Sequence, residues 1–209
     1  MATEKRIKIL TETEISELFG PPTLNSNDQR FFFALNDAEL AECKRIRERD
    51  HRCMFVVLLG YFKVKPIVLS PGYHQIKQDL KYVCSEVIPG PGLRPFNLTQ
   101  KTRVRIYQRI FKLTGHQRWL NKSHRSALIT DLNEHARAWS QPRSLFDRAI
   151  EYLSAQNIAI PGYTVLQDLI SDVVGVTSDQ FARTLEKLLS ADLAKMLSEL
   201  VNGNNSLTL

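Results

Sequence analysis

Between Val87 and Thr130 the chain contains no aspartate and no glutamate. An ordinary solvated helix surface mixes signs, because opposite charges four apart support each other and keep the helix soluble. This stretch has nothing to mix. Cysteine is scarce as well: Cys43, Cys53 and Cys84 are an odd number without a C-x-x-C pair, which argues against a disulfide framework and a zinc ribbon and favours a reducing compartment. Long apolar runs are missing. The longest, Met54–Phe62, is about half of what spanning a bilayer needs, and the N-terminus carries charge where a signal peptide would be apolar. The expectation is a cytoplasmic protein with no membrane partner.

Catalytic motifs are absent too. There is no Gly-rich phosphate loop, no HExxH, no GxSxG and no paired-carboxylate motif, so the chain is expected to be neither an enzyme nor a cofactor carrier. His51, His116, His124 and His135 lack metal-ligand spacing. Two of them, His116 and His124, lie among arginines that repel a divalent cation, so phosphate contact or simple exposure suits them better. Asp131 and Glu134 on a helix pair more readily with Arg137 or neighbouring basic residues than with a metal. Trp139, at helical spacing among leucines, reads as core. Trp119, in a basic loop, is left open between packing and base stacking.

What the acid-free stretch does hold is nine cations: Arg94, Lys101, Arg103, Arg105, Arg109, Lys112, Arg118, Lys122 and Arg125. The whole chain has 28 Lys+Arg against 22 Asp+Glu, so without this block the remainder is net negative. Wound into a helix after Thr99 at roughly 100° per residue, Lys101, Arg105, Arg109 and Lys112 fall within about 80° of one another, opposite Val104, Tyr107, Ile110, Phe111 and Leu113. One face is a cationic stripe and the other is core. A single-sign stripe raises the local potential and attracts a polyanion, above all a nucleic-acid backbone whose counterions it displaces.

Hydrophobic periodicity elsewhere is helical. Thr11 and Glu14 form a capping box that opens a helix stopped by Gly20-Pro21-Pro22. Ser26 or Asn27 can cap a turn through Phe33, and Asn36 or Asp37 a helix running towards Arg47. Cys53–Phe62 reads as a buried helix, although its length alone does not exclude a strand. Ile76, Leu80, Val83 and Val87 are at core spacing. Three prolines and two glycines between Ile88 and Pro95 then break the pattern. Beyond the basic helix, which should end at Gly115, Ser123 can cap one helix, Pro142 start another and Thr164 cap a third over 165–174. A last amphipathic stretch, 178–201, is expected to break near Ser190-Ala191-Asp192. The reading is all-α: two small helix-turn-helix-like domains in tandem, 1–88 and 99–201, joined by a Pro/Gly linker at 89–98, with a flexible tail at 202–209.

Four segments together resemble the N-terminal region of the large replicative transposases of the Tn-three family. They are Leu10-Thr11-Glu12; Arg52-Cys53-Met54-Phe55 leading into Val57–Phe62; Lys101-Thr102-Arg103 with Ile110 and Gly115; and Asn157–Leu166, similar to an Ile-x-x-Pro-Gly-x-x-x-Leu signature. Cys53-Met54, His51 and Ile106 depart from the family pattern. The resemblance implies an all-helical front portion that grips the transposon's terminal inverted repeats, with the acidic metal-binding triad of a DDE-type transposase in a later domain beyond Leu209. The implied partners are double-stranded DNA and, through that later portion, a second copy of the chain.

The two lines of reasoning meet at Arg52 and at Lys101, Thr102 and Arg103. Arg103 projects into the apolar arc of its helix and should tuck under the first turn or reach a specific phosphate or base. Lys101, Arg105, Arg109 and Lys112 are expected at phosphates, which position a protein without reading sequence. Arg118, Lys122 and Arg125 extend the track. Lys44, Arg45, Arg47 and Arg49 form a second cluster, diluted by Glu42, Glu48 and Asp50. Two other readings stay open here: a basic helical module that docks an acidic protein, and an RNA-binding protein.

Overall fold

A computed structural model describes residues 6–91, 93–120, 122–188 and 198. Among them the chain is all-α. In order come α1 (Glu12–Phe19), α2 (Ser26–Phe32), α3 (Asp37–Lys44), α4 (Arg49–Val64), α5 (Lys77–Tyr82), α6 (Gln100–Thr114), α7 (Ser123–Ala136), α8 (Pro142–Ala155) and α9 (Tyr163–Leu188). A 3₁₀ turn at Tyr73–Gln75 leads into α5, and a π-helical turn at Val83–Val87 ends it.

The central element is α4. Ten consecutive residues, Cys53 to Phe62, are buried, which is what a helix apolar all round requires. α2, α3, α5 and α6 all pack against it. α7, α8 and α9 pack on one another, with Leu128, Leu132, Leu145, Leu153, Leu166 and Leu169 fully buried between them.

The buried side chains on the two sides of 89–98 form one contiguous cluster. Phe62 of α4 meets the Phe111 ring of α6 at 5.7 Å, and Phe19 of α1 meets Phe146 of α8 at 6.2 Å. The N-terminal segment lies along α9: Ile7 donates its amide to Ser171 and accepts from Gln167, while the Tyr163 hydroxyl receives the amides of Ile9 and Leu10. Two parallel backbone bridges, Ile67 with Ile160 and Gln117 with Ile158, tie the loops after α4 and α6 to the segment before α9. That segment carries Pro161-Gly162.

The capping box at Thr11 and Glu14 forms as read. The caps of α2 and α3 are Asn25 and Asn36, each in its own capping box. Ser123 and Thr164 are not caps but first-turn residues. The amides at the start of α7 are met by the Leu120 and Lys122 carbonyls, and at the start of α9 the Val165 amide donates to Gly162. The expected stop between 174 and 178 does not exist. α9 runs through Gly175, where no proline intervenes and the Thr177 hydroxyl bonds back to the Val173 carbonyl. The expected break at 190–192 and the tail at 202–209 lie outside the described residues.

Candidate nucleic-acid interface

α6 begins with an uncommon charge arrangement. Thr99 caps it, its hydroxyl accepting from the Thr102 amide at 3.2 Å and lying 2.9 Å from the Thr102 hydroxyl. No acid occupies the first turn; Lys101 and Arg103 do. The partial positive charge of a helix N-terminus is therefore reinforced and not offset. Gly115, at φ 71°, closes the other end in the left-handed conformation.

The rotation of α6 is fixed by its apolar side. Ile106, Tyr107, Ile110 and Phe111 are buried. The Tyr107 hydroxyl donates to the Leu69 carbonyl at 3.0 Å and accepts from the Leu69 amide at 2.7 Å. Burial drives the tyrosine pKa upward, so it stays a neutral donor and acceptor. With that side locked, Lys101, Arg105 and Lys112 face solvent.

Arg109, the fourth member of the stripe, is half-buried and donates to Glu42 of α3 at 2.6 Å; Arg45 bonds the other carboxylate oxygen. Only 8 % of Glu42 is exposed. Burial alone would raise its pKa, but the Arg109 hydrogen bond and the fields of Arg45, Arg109 and Lys112 outweigh it and hold the carboxyl below its usual range. The carboxylate read as a diluting charge is thus the joint between the two basic clusters. It sets the C-terminal end of α3, with exposed Lys44 and Arg45 and the following Arg47, beside the stripe of α6. Nothing local in the sequence pairs residues 42 and 109.

Other candidates have partners inside the protein. Arg49 donates to the carbonyls of Ile88 at 2.9 Å and Pro91 at 2.6 Å and lies 3.5 Å from that of Cys84, so it clamps the Pro/Gly segment. Arg52 is half-buried, with an enclosed Nε that meets no hydrogen-bond acceptor. Arg125 pairs with Asp172 of α9 at 2.5 Å. Arg103 turns back to the Leu98 carbonyl at 3.4 Å, under the first turn of its helix. Arg118 and Lys122 are exposed in and after the α6–α7 loop.

Beside the stripe is a groove of about 190 Å³ that the sequence reading missed. Gln100, Arg103, Val104 and Gln108 of α6 line one side, with Arg118 and Val68 completing it. Glutamine and arginine are side chains that read adenine and guanine edges. The place of Gln108 on the helical wheel, between stripe and core, was the available signal.

The histidines are not simply exposed. His116 stands edge-on to Phe62 at 5.0 Å, His124 accepts from the Leu120 amide at 3.1 Å, His51 meets Glu48 at 3.2 Å and His135 lies 3.1 Å from the Ser144 hydroxyl. Asp131 holds Arg148 of α8 through both oxygens, a different arginine from the one expected. Trp139 is 62 % exposed, because α7 ends at Ala136 and the tryptophan falls in the following turn. Trp119 is half-buried against the core.

Among the described residues no helix is long and apolar enough to cross a membrane, and no group of three or more His, Cys, Asp or Glu is placed to hold a metal. No curated protein and no solved structure matches the chain. A family model described as a domain of unknown function, DUF4158, matches residues 9–173, well over half of the sequence, and the chain belongs to that family.

Proposed function

We propose that this chain binds duplex DNA in a sequence-specific way, as the end-recognition portion of a replicative transposase resembling the Tn-three family. The observation that carries the reading is the joint at Glu42. It fastens the C-terminal end of α3, with Lys44 and Arg45, to α6 at Arg109, a member of the stripe that also carries Lys101, Arg105 and Lys112, on a surface whose α6 side has no acid of its own to neutralise it. A phosphate backbone is the partner such a surface fits, since each neutralised phosphate releases counterions. The groove with Gln100, Gln108, Arg103 and Arg118 adjoins that surface, so phosphate contacts could hold the groove against base edges.

The test is binding of the chain to a labelled duplex carrying a transposon terminal repeat, against a scrambled duplex, over a range of salt. With six to eight phosphates neutralised, log affinity falls with log salt at a slope of roughly −5 to −7. Preference for the repeat, relaxed by Gln108→Ala and uniformly weakened by Lys101→Ala or Arg105→Ala, supports end recognition. Equal, shallow binding to both duplexes overturns it in favour of a basic helical adaptor. Preference for a single strand favours RNA.

A further inference from the structure

Leu120 is the one large hydrophobic side chain, among the exposed ones of the described residues, that belongs to the acid-free stretch; it is 53 % exposed. A lone exposed leucine usually needs no explanation. This one differs in how it is held and in what surrounds it.

Its loop is fastened at both ends. The Gln117 amide donates to the Asn157 carbonyl at 2.7 Å, and the Gln117 carbonyl accepts from the Ala159 amide at 2.9 Å. Three residues on, the Leu120 amide donates to His124 Nδ1 at 3.1 Å and its carbonyl accepts from the His124 amide at 3.1 Å. Trp119 packs inward, its ring 5.9 Å from that of His124. Both backbone polar groups of Leu120 are satisfied, its neighbour Trp119 packs against the core, and the apolar side chain is left presented to solvent. Arg118 before it and Lys122 after it are exposed cations, and Arg118 lines the same groove as Arg103 and Gln108.

We infer that Leu120 is a wedge for the DNA minor groove, inserted at a base step while Arg118 and Lys122 hold the flanking phosphates. An apolar tip between two cations is the composition that minor-groove benders use: the tip unstacks one step, the duplex bends away, and the bend brings more backbone onto the protein. The inference rests on the proposed duplex binding and adds to it a deformation of the bound DNA. Flexible pyrimidine–purine steps are the favoured insertion points.

The experiment uses the full chain and a 30-bp duplex enriched by it from a randomised library, with a dye at each end for energy transfer and 2-aminopurine placed in turn at each adenine. Binding by the unaltered chain is expected to shorten the end-to-end distance, with a bend of about 20–90°, and to brighten 2-aminopurine at one step. Leu120→Ala abolishes both signals and shifts affinity by no more than about threefold, because the lost contact and the saved unstacking offset each other. Leu120→Phe restores both. Binding by the unaltered chain with a straight duplex and no 2-aminopurine change overturns the wedge and leaves duplex recognition standing. Bending that persists in Leu120→Ala, with melting unchanged, also overturns it. Failure of the unaltered chain to enrich any duplex overturns the DNA reading itself, and the wedge with it.

Discussion

α4 and α6 both carry cations near their N-termini, and apart from Arg103, which turns back to the Leu98 carbonyl, the fold uses them in opposite ways. Arg49 and Arg52 of α4 are turned inward, the first onto carbonyls of the Pro/Gly segment and the second into an enclosed position. Lys101, Arg105 and Lys112 of α6 have solvent before them. The difference comes from neighbours. α4 is apolar all round from Cys53 to Phe62 and sits at the centre, so the arginines just before that run are partly covered by protein; α6 is amphipathic and lies at the surface. Counting cations therefore overstates how many are available to a ligand.

The comparison is sharpened most by removing the α6 cations. Lys101→Ala/Arg105→Ala/Lys112→Ala is expected to make the salt slope of duplex binding shallower by about 3 and to weaken all sequences alike, while the melting temperature stays put. Salt titrations and calorimetry on the same samples check both halves. Arg49→Ala should do the reverse: a loss of about 2–3 kcal/mol in denaturant unfolding, since charge-assisted bonds to carbonyls go unmade, with the salt slope retained in the folded fraction. Gly90→Ala should mimic it, because Gly90 has φ 157° and a Cβ there would lie 2.6 Å from Arg49 Nε.

A smaller effect is expected at the joint. Glu42→Gln should cost about 1–2 kcal/mol at neutral pH. The pH dependence has a definite sign. The folded carboxyl is held below the ordinary glutamate value of 4.5, so its contribution is complete above that value and is lost as pH falls through the lower folded value. Acid unfolding curves of the two proteins should therefore converge at low pH; a constant gap across the range would remove Glu42 from its role. The smallest effect belongs to Trp139→Ala, under about 0.5 kcal/mol for a surface side chain, read from thermal melts.

Local chemistry made much of this fold legible. Thr11 with Glu14, Thr99 and Gly115 around α6, and Pro142 at the start of α8 each mark an end through a hydrogen bond or a dihedral that neighbouring residues supply. Where the outcome depended on distant residues, the sequence was silent. Gly175 is exposed and α9 runs straight through it, so a glycine alone did not mark an end, and Trp139 became a surface residue because α7 stopped three positions earlier. The candidate site divides the same way. The stripe on α6 follows from 3.6 residues per turn, while the partnership of Glu42 with Arg109 and the diversion of Arg125 to Asp172 span 67 and 47 residues.

The N-terminal segment along α9 bears on how the protein is made. Ile7, Ile9 and Leu10 find their hydrogen-bond partners at Tyr163, Gln167 and Ser171, so these residues wait during synthesis for partners 153 to 164 positions further along the chain. At ordinary synthesis rates that wait is about ten to thirty seconds. Through it, Leu10 and the apolar face of α1 stay uncovered, and a chaperone that holds nascent chains has that interval in which to act.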